Sequence, residues 1–164
     1  MKQVLVLLIA MPLLFMSCKK EDKCPYTDSA ASASTTERDF LRANSSATAI
    51  EHPSGVFYEI TSPGSGNAPG LCSTVTVRYT GTLIPTGARF DGTDVGEPGR
   101  NFTLGELLLG WKKVLPLLKA GGKMTLYIPP SLGYGDKDRV NNQQQVIIPA
   151  NSYLKFVIDL DNVQ

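Results

Sequence analysis

The sequence predicts an α+β fold: an antiparallel sheet of five or six strands with one well-defined helix. Three observations carry this. Apolar and polar residues alternate through 73–83, with Val75, Val77 and Tyr79 on one face and Thr74, Thr76, Arg78 and Thr80 on the other, the period of a half-buried strand. Leu107, Leu108, Trp111, Val114, Leu115 and Leu118 recur at helical spacing. Gly and Pro clusters punctuate the remaining strand-forming runs.

Taken in order, the chain starts with Lys2 and twelve apolar residues, Val4 to Phe15. A membrane-spanning helix needs about 20, so 1–17 reads as a signal peptide. Ser17-Cys18 resembles a bacterial lipobox, in which Cys18 is lipidated and becomes the new N-terminus. Acyl chains there anchor a protein without a transmembrane helix. Residues 18–36 read as a tether and linker: Lys19 to Lys23 are charged, and 24–36 are rich in Ser, Ala and Thr. Residues 37–54 form an N-terminal extension. Ser34 and Glu37 have capping-box spacing, which predicts a short helix over 36–44. His52-Pro53-Ser54-Gly55 is a turn.

The main domain spans 55–164. Val56 to Thr61 is a strand ended by Pro63-Gly64, and 73–83 is the next. Pro85-Thr86-Gly87 turns the chain into a returning strand at 88–91, and 101–104 is another. Pro116 lacks a backbone donor, so the helix after Leu107 is expected to be short, starting near Gly110 and stopped by Gly121-Gly122. Lys123 to Ile128 is a strand ended by Pro129-Pro130, 131–145 reads as a long loop, and Tyr153 to Leu160 is the last strand.

Sixteen basic and fifteen acidic side chains nearly cancel, which gives no electrostatic reason to expect nucleic acid as a partner. With Cys18 lipidated, Cys24 and Cys72 remain; in an oxidising compartment a disulfide between them is expected, fastening the N-terminal segment to the domain, with two free thiols as the alternative. His52 is the only histidine, so neither a Ser-His-Asp nor a Cys-His arrangement can be assembled. Zinc-like spacing and a P-loop are both missing, and no metal or cofactor is expected. What remains is a set of aromatics at strand ends, which on their own read as core.

Their context makes them specific. Val77-Arg78-Tyr79-Thr80-Gly81-Thr82-Leu83, Gly87-Ala88-Arg89-Phe90-Asp91, Phe102 to Trp111, Gly121-Gly122-Lys123 to Tyr134-Gly135 and Ile147-Ile148-Pro149 to Leu160 occur in order. Together they resemble the motifs of the FKBP-type peptidyl-prolyl cis/trans isomerases. The resemblance implies a sheet half-wrapped around a short helix, with an apolar pocket between them. Tyr79, Asp91, Trp111 and Tyr134 are the implied catalytic set. Phe90, Phe102, Leu107, Leu108, Ile148 and Phe156 are the implied substrate-binding set. Trp111 is the implied floor, and the Tyr134 hydroxyl and Leu108 N–H hold substrate carbonyls. Asp91 either orients Tyr79 or sits against the twisted carbonyl.

Implied partners are proline-containing client polypeptides and a macrolide inhibitor of the FKBP class, with membrane contact through the lipid alone. Lys19 directly after Cys18, in place of Asp, points to the outer membrane of a bacterial envelope. A non-catalytic chaperone using the same groove is the alternative. Two departures stand out: Arg100 occupies a position where the family often has a small or aromatic residue, and 136–145 is longer and more polar than the family's compact loop.

Overall fold

The computed structural model describes residues 24–164, so the leader and Cys18 lie outside the described residues. The strands are β1 (Ile50–Glu51), β2 (Phe57–Ser62), β3 (Thr74–Ile84), β4 (Arg89–Gly92), β5 (Arg100–Thr103), β6 (Gly122–Ile128), β7 (Arg139–Val140), β8 (Val146–Ile148) and β9 (Tyr153–Val163). The helices are α1 (Thr35–Asn44) and α2 (Leu109–Val114).

The main sheet has seven strands in the order β1-β2-β6-β9-β3-β4, with β5 also paired to β3. Its pairings are antiparallel. The six expected strands are all there. The extra one is β1, whose two residues are too short for alternation to reveal. The long central strands β3 and β9 pair from Val75↔Val163 to Ile84↔Tyr153. Their period-two pattern sends Val75, Val77, Tyr79, Leu154, Phe156, Ile158 and Leu160 into one buried layer.

That layer curves around α2, which buries Gly110, Trp111 and Val114. A Cβ on Gly110 would lie 2.7 Å from Ile128 Cγ2, so glycine lets the helix sit directly on β6. Pro116 ends α2 at Val114, and the chain continues as a 3-10 turn over Leu115–Leu117 with Pro116 near its start, where a missing N–H costs nothing.

The opposite face of the sheet is covered by α1. Ser34 and Glu37 form a capping box at its start. Leu41 packs on Phe57 and Tyr127, and Phe40 stacks on Tyr153 at 3.9 Å. Full burial of Leu41 contributes about 1.5–3 kcal/mol.

Two stretches differ from their sequence reading. Residues 24–33, expected to be a linker, are fastened to the domain. Cys24 and Cys72 form a disulfide, the Tyr26 hydroxyl donates to Glu106 Oε1 at 2.8 Å, and the half-buried Lys113 donates from its ammonium to Asp28 and the Ser29 carbonyl. The disulfide is one of the two states the sequence leaves open for these cysteines, whereas polar composition hides the Tyr26 and Lys113 ties. The polar stretch 131–145, expected to be a loop, begins with a 3-10 turn and then enters a hairpin, β7 paired with β8. Asn141 Oδ1 accepts the Gln143 and Gln145 amides and closes its turn.

Candidate active site

The sheet and α2 enclose a cavity of about 160 Å³ lined by Tyr79, Asp91, Phe102, Leu107, Leu108, Trp111, Tyr134 and Phe156. These residues come from β3, β4, β5, the turn before α2, α2 itself, the segment after β6 and β9. Trp111 is 4% exposed and meets Tyr79 and Phe156 edge-on, with centroids at 5.7 and 5.2 Å. Its indole forms the floor. Phe90, expected among the lining, packs edge-on to Tyr134 at 6.3 Å and Phe156 at 5.6 Å and lines an opening next to the cavity together with Asp91. Ile148, also expected there, is buried in the core.

Gly81 shows why the rings fit. A Cβ there would come within 2.8 Å of Phe90 Cζ and 2.9 Å of Phe156 Cε1, so any side chain would push the two rings apart.

The polar groups are few. The Tyr79 hydroxyl donates to Asp91 Oδ2 at 2.6 Å. Asp91 Oδ1 accepts the Gly92 amide at 2.8 Å and Arg100 Nη1 at 3.2 Å. Arg100 also donates to the Gly92 carbonyl at 2.8 Å and lies 5.8 Å from the Tyr79 ring centroid. Burial, followed by the Asp91 hydrogen bond, pushes the Tyr79 phenol up to about 12, so it stays protonated. Burial also raises the Tyr134 phenol, helped by the Asp91 charge. Among the described residues, neither the Tyr134 hydroxyl nor the Leu108 N–H hydrogen-bonds to another group of the chain, so both are free to meet a ligand.

His52 is far from this chemistry in role: its Nδ1 accepts the Ser54 amide and pairs with the Ser54 hydroxyl inside the turn before β2. No group of three or more His, Cys, Asp or Glu that could hold a metal occurs among the described residues.

Residues 66–161, more than half of the chain, match the model of the FKBP-type peptidyl-prolyl cis-trans isomerases. The chain belongs to this family. It is 40% identical over 99 residues to the outer membrane protein MIP of Legionella longbeachae, covering 60% of this chain and 42% of that one. It is 41% identical over 111 residues to the FKBP-type peptidyl-prolyl cis-trans isomerase FkpA of Escherichia coli K12, covering 67% and 38%. The chain thus spans less than half the length of these curated relatives. A solved peptidyl-prolyl cis-trans isomerase from Pseudomonas syringae superposes with a TM-score of 0.67 at 29% identity, over 79% of this chain and 91% of that one.

Within the family frame, Arg100, which the sequence marks only as a departure from the family pattern, joins the site. It supplies the third corner of the Tyr79–Asp91 pair. The available signal was its position in a strand of the family motif where a cation is unusual. A charge between Asn101 and a glycine otherwise reads as solvated surface.

Proposed function

We propose that this chain is a peptidyl-prolyl cis/trans isomerase acting on proline-containing segments of exported polypeptides. The observation that carries the reading is a single aromatic cavity with two free hydrogen-bond donors and neither His nor Cys in its lining. Rotation about a peptide bond meets a barrier of about 18–20 kcal/mol because the planar amide is resonance-stabilised. Uncatalysed X-Pro isomerisation takes about 10–100 s. The twisted imide has lost resonance and is less polar than the planar one. An apolar site costs the planar form more hydration than the twisted form, so it binds the transition state better. Each tenfold of rate needs about 1.4 kcal/mol of such preference.

Roles follow from position. Trp111 supports the proline ring, and Phe102, Leu107 and Phe156 wall it in. The Tyr134 hydroxyl and Leu108 N–H hold substrate carbonyls, fixing the segment while its imide turns. Asp91, held by Tyr79 and Arg100, presents its carboxylate at the cavity edge. A macrolide inhibitor of the FKBP class would occupy the same cavity. Exchange NMR on a Leu-Pro peptide tests the assignment: the chain should raise the cis/trans exchange rate in proportion to its concentration. Folded protein that protects an unfolded client without raising that rate would replace the isomerase with a holding function.

The same proposal places the chain outside the cytoplasm, held by lipid at Cys18 on the outer membrane. The short apolar leader, Ser17-Cys18 and the Cys24–Cys72 disulfide support this, as does a relative named an outer membrane protein. Among the described residues no helix is long and apolar enough to cross a membrane. Palmitate labelling should be lost in Cys18→Ala; labelling that persists would contradict the anchor.

A further inference from the structure

We propose that Arg139, on the hairpin beside the cavity, makes this site prefer clients with an acidic side chain next to the proline; the inference rests on the isomerase reading above. Tyr134 lines the cavity, and the Arg139 guanidinium lies 5.3 Å from its ring centroid. Arg139 is held there by pairing with Ile148, which is 3% exposed and part of the core. The cation is therefore placed by the fold and still exposed to solvent.

Charge pairing at the mouth is uneven. Across the cavity, Arg100 is neutralised by Asp91, whose two oxygens also take the Tyr79 hydroxyl and the Gly92 amide. Arg139 has no carboxylate within 4.0 Å among the described residues. The residues just before it are Asp136, Lys137 and Asp138, and Asp138 Oδ1 instead accepts the Ala150 amide at 2.7 Å. A guanidinium seated on an aromatic ring keeps its edge N–H groups open to a planar acceptor, and a carboxylate fits that fork with two parallel hydrogen bonds.

The rest of the hairpin suits the same occupant. Val140, Val146 and Ile147 on the hairpin are 45%, 51% and 41% exposed, so aliphatic side chains stand open to solvent near Arg139. An extended segment with proline in the cavity would lay one flanking residue against Arg139 and others near these side chains. The site would then favour an acidic residue beside the proline and aliphatic residues further out.

Exchange NMR decides this, using two peptide series that carry Glu, Gln or Lys before the proline or after it, with the full chain at low salt and at about 0.5 M salt. In one series kcat/KM for Glu should exceed that for Lys by about three- to tenfold at low salt, and the ratio should shrink as salt screens the pair. Arg139→Glu should invert the ratio, whereas Lys137→Gln should keep it, each variant being checked for native circular dichroism. Ratios within about twofold in both series, a ratio unmoved in Arg139→Glu, or one lost equally in Lys137→Gln would overturn the inference while leaving isomerase activity on the Gln peptides intact. Failure to accelerate even the Gln peptides would remove the isomerase reading itself, and this inference with it.

Discussion

The cavity floor and the hairpin beside it are built on opposite principles. Trp111, Tyr79 and Phe156 are buried, with the Trp111 indole edge-on to both other rings, and anchored in β3, β9 and α2. Val140, Val146 and Ile147 stand on a two-stranded hairpin outside the main sheet, largely open to water. The floor has no freedom to vary without loosening the core. The hairpin can change its side chains at little cost to the fold. On the proposed function, the difference separates what would perform the reaction from what would select the client, and it ranks the expected effects of substitution.

Trp111→Ala should have the largest effect. At 4% exposure its loss opens a cavity in the core, costing about 3–5 kcal/mol in a urea titration. The indole is floor and core together, so this variant loses stability as well as activity. Replacing Cys24 and Cys72 by Ser should cost about 2–4 kcal/mol, read as a drop in thermal midpoint, because the link closes a loop across 48 residues of separation. An unshifted midpoint would mean that Tyr26 and Lys113 hold the N-terminal segment unaided.

Tyr79→Phe removes the donor to Asp91 and should cost about 1–3 kcal/mol. It also carries a pH signature. The fold raises the Tyr79 phenol from 10.0 to about 12, favouring its protonated form. That stabilisation is complete below pH 10 and is lost as pH rises toward 12, so wild-type stability should fall more steeply there than that of Tyr79→Phe. Equal slopes would place the phenol outside the buried network. The smallest effect on stability belongs to the hairpin. Val140→Ser with Ile147→Ser should stay within about 0.5 kcal/mol of wild type while raising KM for aliphatic-flanked peptides. A loss of several kcal/mol would show the hairpin to be part of the core after all.

Legibility in the sequence followed the same division. β3 and β9 could be read because a half-buried strand must alternate, and α2 because Leu107 to Leu118 repeat at helical spacing. Trp111, Tyr79, Phe102, Leu107, Leu108, Tyr134, Phe156 and Asp91 could be placed together because ordered motifs fix strand register, and register fixes which side chains converge. Phe90 and Ile148 belong to the same motifs, but how closely each side chain approaches the cavity depends on a few ångströms that no pattern encodes. β7 and β8 were hidden because strands of two and three residues on either side of a polar run are too short for alternation to show. The remaining ties of residues 24–33 depend on partners distant in sequence, Glu106 for Tyr26 and Lys113 for Asp28.

The most direct test of the central claim is the cis/trans exchange rate of a neutral Leu-Pro peptide with wild type and with Trp111→Leu, each at a temperature where it is fully folded. The account predicts clear acceleration by wild type, a kcat/KM at least about tenfold lower for Trp111→Leu, and no dependence on pH between about 6 and 9, since the lining contains no histidine or cysteine. Equal rates for the two folded proteins, or a bell-shaped pH profile, would contradict catalysis by an apolar aromatic floor.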